Sequence, residues 1–247
     1  MNTLWVEKHR PNTLQGYVFR DDAQKKQVEQ WVTSKSIPHL LFSGAPGVGK
    51  TTLARRLADT LGYPLMLEPA AENPFLDRFY TEGASQALPT QLFFLLHRAR
   101  QLADIPSGGL LDQNLVTDFL MEKDELFAKL TLDAQEFALY QQIQTSLNLN
   151  PPTPDLVIYL QAPTDVLLQR IQQRGLAAES QIAADYLISL SESYTEFFHY
   201  YDDAPLLIVN AAEIDFAHND VHFDHLLEQV LHMEGSRQFF NPNPTLL

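Results

Sequence analysis

Two rhythms of apolar residues run through the chain. Leu53, Leu57 and Leu61 recur every fourth position, which predicts a helix over 51–61. Apolar positions at helical spacing predict further helices over 85–103, 123–147, 182–200 and 220–233, and one that Thr164 can cap. Asp21 and Asp22 can cap an earlier helix running to residue 36. Between these lie short apolar runs at 39–43, 156–161 (LVIYLQ) and 206–210 (LLIVN), with shorter candidates at 64–67 and 115–119. Runs without polar alternation suit strands covered on both faces. Alternating with helices, they define an α/β fold, a parallel sheet of about five strands with helices on both faces. Pro151, Pro152 and Pro154 break the chain before LVIYLQ, and the Asn241-Pro-Asn-Pro-Thr tail is expected to fray.

Composition narrows the chemistry. The 247 residues contain no cysteine, which excludes a disulfide framework, a Cys-type zinc site and a thiol nucleophile. The formal net charge is −14, which argues against bulk electrostatic binding to DNA or anionic membranes. No segment approaches the about 20 apolar residues of a membrane span, and residues 1–10 carry no apolar stretch of the signal-peptide kind. A cytoplasmic protein is expected. The charge is uneven, since residues 1–41 sum to +2 and the remainder to −16. Such a step can mark a junction between segments of different task.

The strongest motif is Gly44-Ala45-Pro46-Gly47-Val48-Gly49-Lys50-Thr51, which matches G-x-x-x-x-G-K-[ST] and is followed by Thr52. It follows a predicted strand and opens a predicted helix, the context in which backbone N–H groups and a helix N-terminus cradle phosphates. Lys50 would reach the outer phosphates, and the Thr51 hydroxyl would ligate Mg²⁺. ATP with Mg²⁺ is therefore the expected cofactor pair.

The flanks of this loop resemble two different families. Leu4-Trp-Val-Glu-Lys-His-Arg-Pro11 and Ile37-Pro-His-Leu-Leu-Phe-Ser-Gly44 resemble the start of AAA+ clamp-loader ATPase subunits, with His9 where that pattern has Tyr. The resemblance ends by residue 50. An ATPase of that kind needs an apolar strand ending in D-E-x-x; the nearest pair, Asp124-Glu125, falls in a predicted helix, and no S-R-C arginine-finger motif is present.

Residues 44–235 resemble the deoxynucleoside kinases of the bacterial deoxyadenosine/deoxyguanosine type. The matching stretches are Leu67-Glu-Pro69, Glu72-Asn-Pro-Phe-Leu-Asp-Arg-Phe-Tyr80, Thr90-Gln-Leu-Phe-Phe-Leu-Leu-His-Arg98, Thr117-Asp-Phe-Leu-Met-Glu-Lys-Asp124, Asp155-Leu-Val-Ile-Tyr-Leu-Gln-Ala162 and Ile208-Val-Asn-Ala211. The resemblance implies a phosphate-loop kinase with a short lid that phosphorylates a deoxynucleoside 5′-hydroxyl, deoxyadenosine or deoxyguanosine favoured, and a possible homodimer. It makes Glu68 the general base. It puts Tyr80 and Glu179 on the sugar 3′-hydroxyl, and Gln91, Arg98 and Asp124 on the base edge. Gln suits that task because its amide donates and accepts side by side, although an amide flip lets it pair with several bases. Of Phe79, Phe93 and Phe94, one is expected to face the nucleoside and the others the core.

Two departures from the family pattern stand out. The lid pattern R-x-x-x-R-x-R-x-x-E is met by Arg170, Arg174 and Glu179, expected to clamp phosphate and sugar, but Leu176 replaces the last arginine. Where many relatives carry E-R-S or D-R-S, this chain has Asp118-Phe-Leu. Asp118 can still assist Mg²⁺ or orient a lid arginine; the arginine after it is missing. His218, His222 and His225 are spaced for one helix face, yet no further ligand supports a metal site, and a polar surface face is the better reading. The expected organisation is a clamp-loader-like helical extension (1–36), a kinase domain (37–235) and a tail (236–247), a chimera joined near residue 44. The alternatives are a DNA-associated clamp-loader ATPase and an inactive nucleotide-binding fusion.

Overall fold

The computed structural model describes residues 40–104, 114–149, 151–175, 179–215, 219–233 and 235–242. The chain divides into two units, Met1–Ile37 and Pro38–Leu247, and all described residues belong to the second. The expected helix over 21–36, Leu176 and His218 lie outside the described residues.

In chain order the elements are β1 (Leu40–Ser43), α1 (Lys50–Leu61), β2 (Leu65–Met66), α2 (Leu76–Glu82), α3 (Ala87–Ala103), β3 (Val116–Thr117), α4 (Glu122–Thr131), α5 (Ala134–Ser146), β4 (Leu156–Gln161), α6 (Thr164–Arg174), α7 (Ala184–Tyr200), β5 (Leu206–Asn210), α8 (Asp220–Leu231) and β6 (Arg237–Phe240). Short 3₁₀ turns at Ala70–Glu72, Gly83–Gln86 and Glu179–Gln181 connect some of them. The sheet has the order β2-β3-β1-β4-β5-β6, with every pairing parallel.

Strand side chains alternate between two cores. Leu156, Ile158 and Leu160 of β4 join Leu53 and Leu57 of α1 and Phe223 and Leu226 of α8 on one face. Val157 and Tyr159 join Leu190, Tyr194 and Phe198 of α7 on the other. That two-sided burial is why the strand sequences lack polar alternation. A smaller cluster of Leu95, Ala128 and Tyr140 ties α3, α4 and α5 together beside the sheet.

The sheet has one strand beyond the expected about five, because Arg237–Phe240 pairs with β5. That strand lies within the expected tail, 236–247. β6 is a half-exposed edge strand of four residues, anchored by Arg237 donating to the carbonyl oxygens of His199 and Tyr201, so it carries no apolar run to announce it. The single helix expected over 123–147 is two helices. Leu132 is extended, and Asp133 starts α5 with a capping box: its carboxylate accepts from the N–H groups of Gln135 and Glu136, and Glu136 accepts from Asp133 N–H.

β1 is the point where the strand order reverses, with β3 on one side and β4 on the other. Parallel sheets bind ligands outside the carboxyl ends of the strands at such a point. The loop after β1, Glu68 after β2 and Asp118 after β3 all open onto that edge.

Candidate active site

A cleft of about 190 Å³ lies at this edge, bounded by the phosphate loop, Glu68, α3, α4 and the side chains of Arg174 and Glu179. The loop is built from backbone. Gly44 has φ 145°, and a Cβ there would stand 2.5 Å from the Leu160 carbonyl oxygen of β4, so only glycine lets the loop pass so close. Gly49 caps α1 in the left-handed region, φ 100°, and turns the loop into the helix. Among the other loop residues, Pro46, Gly47, Thr51 and Thr52 line the cleft, whereas Ala45 and Val48 are buried in the core beneath it. Lys50 Nζ donates to the carbonyl oxygens of Gly44 (2.7 Å) and Ala45 (3.0 Å), holding the loop from inside. Burial, then the neighbouring Lys123 ammonium, push Lys50 down to about 7.

Asp118 links two strands' ends. Its Oδ2 accepts from Thr51 Oγ1 at 2.6 Å, and its Oδ1 accepts from the Glu68 backbone N–H at 2.7 Å. One carboxylate thus sets the first turn of α1 against the strand end that carries Glu68. Neither lid arginine bonds to it: Arg174 is ion-paired with Glu179, and Arg170 donates to the carbonyl oxygens of Ala212 and Ile214.

Glu68, Arg98 and Asp124 form a chain whose last two members are buried. The Arg98 guanidinium, 3% exposed, donates to Glu68 Oε1 and is ion-paired with Asp124 Oδ1. The rings of Phe94 and Phe119 lie 5.5 and 5.4 Å from the guanidinium carbon. Asp124, in the first turn of α4, is thus committed to Arg98, and the Asp124-Glu125 pair does not end a strand.

Lys123 is the residue that the sequence reading missed. Its Nζ lies 3.9 Å from Glu68 Oε2, with the side chain 4% exposed, and the residue lines the cleft. Burial, then the Arg98 charge, push it down to about 7. At the start of a helix a lysine reads as a solvated charge. The available signal was a cation close behind the Asp118-Phe-Leu departure, one turn past the position where an arginine is missing.

The remaining expected residues sort as follows. Gln91 is buried on α3 and lines the cleft, with its Nε2 donating to Thr131 Oγ1 of α4. Tyr80 and Glu179 also line it, and Arg174 Nη2 is ion-paired with Glu179 Oε2 at 2.6 Å. Burial, then the Glu179 charge, raise the Tyr80 phenol well above its usual range. Arg170 parts company with Arg174. It donates to the carbonyl oxygens of Ala212 and Ile214 after β5, 3.1 and 3.2 Å away, and is not among the residues lining the cleft. A spacing of four along α6 does not aim both guanidinium groups at one target, since each follows the acceptors nearest its own tip. Two of the three phenylalanines, Phe79 and Phe94, line the cleft, and Phe93 stacks on His97. The described residues contain no cluster of metal-ligating side chains of the His218/His222/His225 kind.

A parallel sheet with a glycine phosphate loop at its switch point and an acidic residue ending the neighbouring strand defines a P-loop kinase. The deoxynucleoside kinase family matches residues 40–233. Similar curated proteins include a deoxyguanosine kinase from Bacillus subtilis, 32% identical over 78% of this chain and 96% of that one. A deoxyadenosine/deoxycytidine kinase of the same organism is 26% identical over 77% and 90%. Among solved structures, a deoxyadenosine kinase from M. mycoides with bound dATP superposes with a TM-score of 0.67 at 26% identity, covering 78% of this chain and 98% of that one. The same enzyme has been solved with dCMP and dCDP as products. The chain belongs to the deoxynucleoside kinase family. Its N-terminus is similar to something else: the Rad17 P-loop domain matches residues 1–76, and a replication factor C small subunit from Methanococcus maripaludis is 52% identical over 61 residues, 25% of this chain and 19% of that one. The two family matches overlap over 40–76, around the shared phosphate loop.

Proposed function

We propose that the protein transfers the terminal phosphoryl group of ATP to the 5′-hydroxyl of a deoxynucleoside, deoxyadenosine or deoxyguanosine being preferred. The observation that carries this reading is Asp118, whose carboxylate joins Thr51 of the phosphate loop to the backbone of Glu68. A phosphate held on the loop and a hydroxyl held at Glu68 would then be neighbours.

The roles follow from what each group can do. The backbone N–H groups of Gly44–Thr52 and the Lys50 ammonium hold the phosphates. Thr51 and Asp118 offer an oxygen-only donor pair that fits Mg²⁺, which would neutralise charge on the phosphate oxygens. Glu68 accepts the 5′-hydroxyl proton as the new O–P bond forms and the bond to the leaving ADP breaks. A loose phosphoryl transition state asks little of the base and much of the surrounding positive charge. Arg174 supplies part of that charge, and Lys123 beside Glu68 supplies what the missing arginine would have given. Arg170 instead supports the loop after β5. Tyr80 and Glu179 hold the sugar 3′-hydroxyl, and Gln91, with the Arg98–Asp124 pair, reads the base.

Incubation with labelled ATP, Mg²⁺ and each of the four deoxynucleosides tests the reading. Monophosphate formation that disappears in Glu68→Gln is the expected result. ATP hydrolysis stimulated by primed DNA, without monophosphate, would replace it with the clamp-loader reading. Nucleotide binding with neither activity would leave an inactive fusion. The clamp-loader reading has the N-terminal similarity behind it, but among the described residues no strand ends in the D-E-x-x it requires.

We further propose that residues 1–36 are an extension appended to the kinase unit, that the enzyme is a homodimer, and that it works in the cytoplasm on free nucleosides without DNA. Among the described residues no helix is long and apolar enough to cross a membrane. Sedimentation of the full chain tests the dimer.

A further inference from the structure

The amide of Gln91 meets the hydroxyl of Thr131 across two helices. Gln91 Nε2 donates to Thr131 Oγ1 at 3.2 Å, and Thr131 Oγ1 donates to the Phe127 carbonyl oxygen one turn earlier in α4, at 2.7 Å. A hydroxyl has a single proton. At 2.7 Å two oxygens are at ordinary hydrogen-bond distance only if that proton lies between them. The Thr131 proton is therefore committed to Phe127, and towards Gln91 its oxygen can only accept. A flipped amide would set Gln91 Oε1 against that oxygen with no proton for either. Gln91 is 5% exposed, so water is a poor substitute partner.

We propose that Thr131 is a specificity-determining positioning residue, which locks the Gln91 amide in one orientation and thereby makes the site choose between amino-type and oxo-type bases. This rests on the reading of Gln91 as a base-edge contact. With one Nε2 hydrogen held by Thr131, the carbonyl oxygen and the second N–H remain for the ligand. Adenine and cytosine present an exocyclic amino donor beside a ring-nitrogen acceptor. Guanine and thymine present an exocyclic oxygen acceptor beside a ring N–H donor, the reverse order. An amide of fixed orientation matches one order and opposes like to like in the other, and only a flip exchanges the two. Without the lock, Gln91 would serve both kinds of base. With it, selectivity between deoxyadenosine and deoxyguanosine is set by a residue that need not touch the nucleoside.

The test is the ratio of kcat/KM for deoxyadenosine and deoxyguanosine in the wild type, Thr131→Val and Thr131→Ser. Valine keeps the shape and removes the oxygen; serine keeps the oxygen. The wild-type preference should shrink by about tenfold in Thr131→Val, the scale set by one mismatched buried hydrogen bond, and survive in Thr131→Ser. The change should appear chiefly as a lower KM for the disfavoured base. Thr131→Ala, assayed by the ratio of nucleoside dissociation constants, answers the same question if valine disturbs the end of α4. An unchanged ratio in a folded, active Thr131→Val or Thr131→Ala protein overturns the lock. A wild-type protein that phosphorylates no deoxynucleoside would instead overturn the reading of the site beneath it.

Discussion

The two ends of the cleft are made of different materials. The phosphate end is backbone from one unbroken segment, Gly44–Thr52, shaped by glycine conformation and closed by Lys50 on its own carbonyl oxygens. The nucleoside end is side chain, gathered from Glu68 after β2, Gln91 and Arg98 on α3, and Lys123 and Asp124 on α4, with Thr131 behind Gln91. A backbone site depends on the chain's path and binds any ligand with the right phosphates. A side-chain site depends on how helices hold one another, and it can be retuned one group at a time. Among the described residues, Asp118 is the one that bonds to both ends, through Thr51 and Glu68. If the division is real, changes at the nucleoside end should alter turnover and selectivity while leaving triphosphate affinity alone.

Glu68→Gln should give the largest effect. Loss of the proton acceptor should lower kcat by about 10²–10⁴-fold. Triphosphate affinity, measured by calorimetry, should stay within twofold to threefold of wild type, roughly the context spread of such contacts. Equal losses in both quantities would show that the two ends are not separable. Lys123→Met comes next, with a loss of about 10²-fold in kcat as an electrostatic donor disappears, and Lys123→Arg should recover part of it. Lys123 also gives the comparison a pH signature. With its ammonium pushed down to about 7, it carries its charge below that pH and loses it above. Phosphoryl transfer draws on that charge beside Glu68, so kcat should fall as pH rises through about 7. The kcat–pH profile reads the loss, and the fall should be shallower in Lys123→Met. Asp118→Asn should be smaller still in turnover, about 10- to 100-fold, but should also weaken triphosphate binding, because Asp118 bonds to both ends.

The same division explains what could be read from the sequence. The phosphate loop is contiguous, its spacing is fixed by the turn it makes, and strand and helix flank it as the motif requires. The fold was legible because strands buried on both faces leave long apolar runs, as in LVIYLQ and LLIVN. β6 was not, because an edge strand with one partner needs no such run. At the nucleoside end the positions came from the family resemblance, and the bonds between them did not follow. Nothing in the spacing of Arg170 and Arg174 tells that one guanidinium reaches the carbonyl oxygens after β5 and the other reaches Glu179. Lys123 could not be picked out, because its burial is created by α3 and Glu68, residues far from it in the chain.

The smallest effect should come from a residue that touches neither end. Asp133 caps α5, with its carboxylate 2.8 and 2.9 Å from the N–H groups of Gln135 and Glu136, in an exposed turn. α5 in turn packs Tyr140 against Leu95 of α3 and Ala128 of α4, between the helices that present Gln91 and Thr131. Asp133→Ala leaves those N–H groups to water and should cost about 1 kcal/mol of stability, read from the midpoint of a denaturant titration. Triphosphate affinity should not move, since the phosphate loop has no bond to α5. If selectivity between the two deoxypurines also holds, the nucleoside end is set by direct pairs such as Gln91–Thr131. If selectivity loosens as stability falls, the whole α3–α4–α5 packing, and not one hydroxyl, sets the amide.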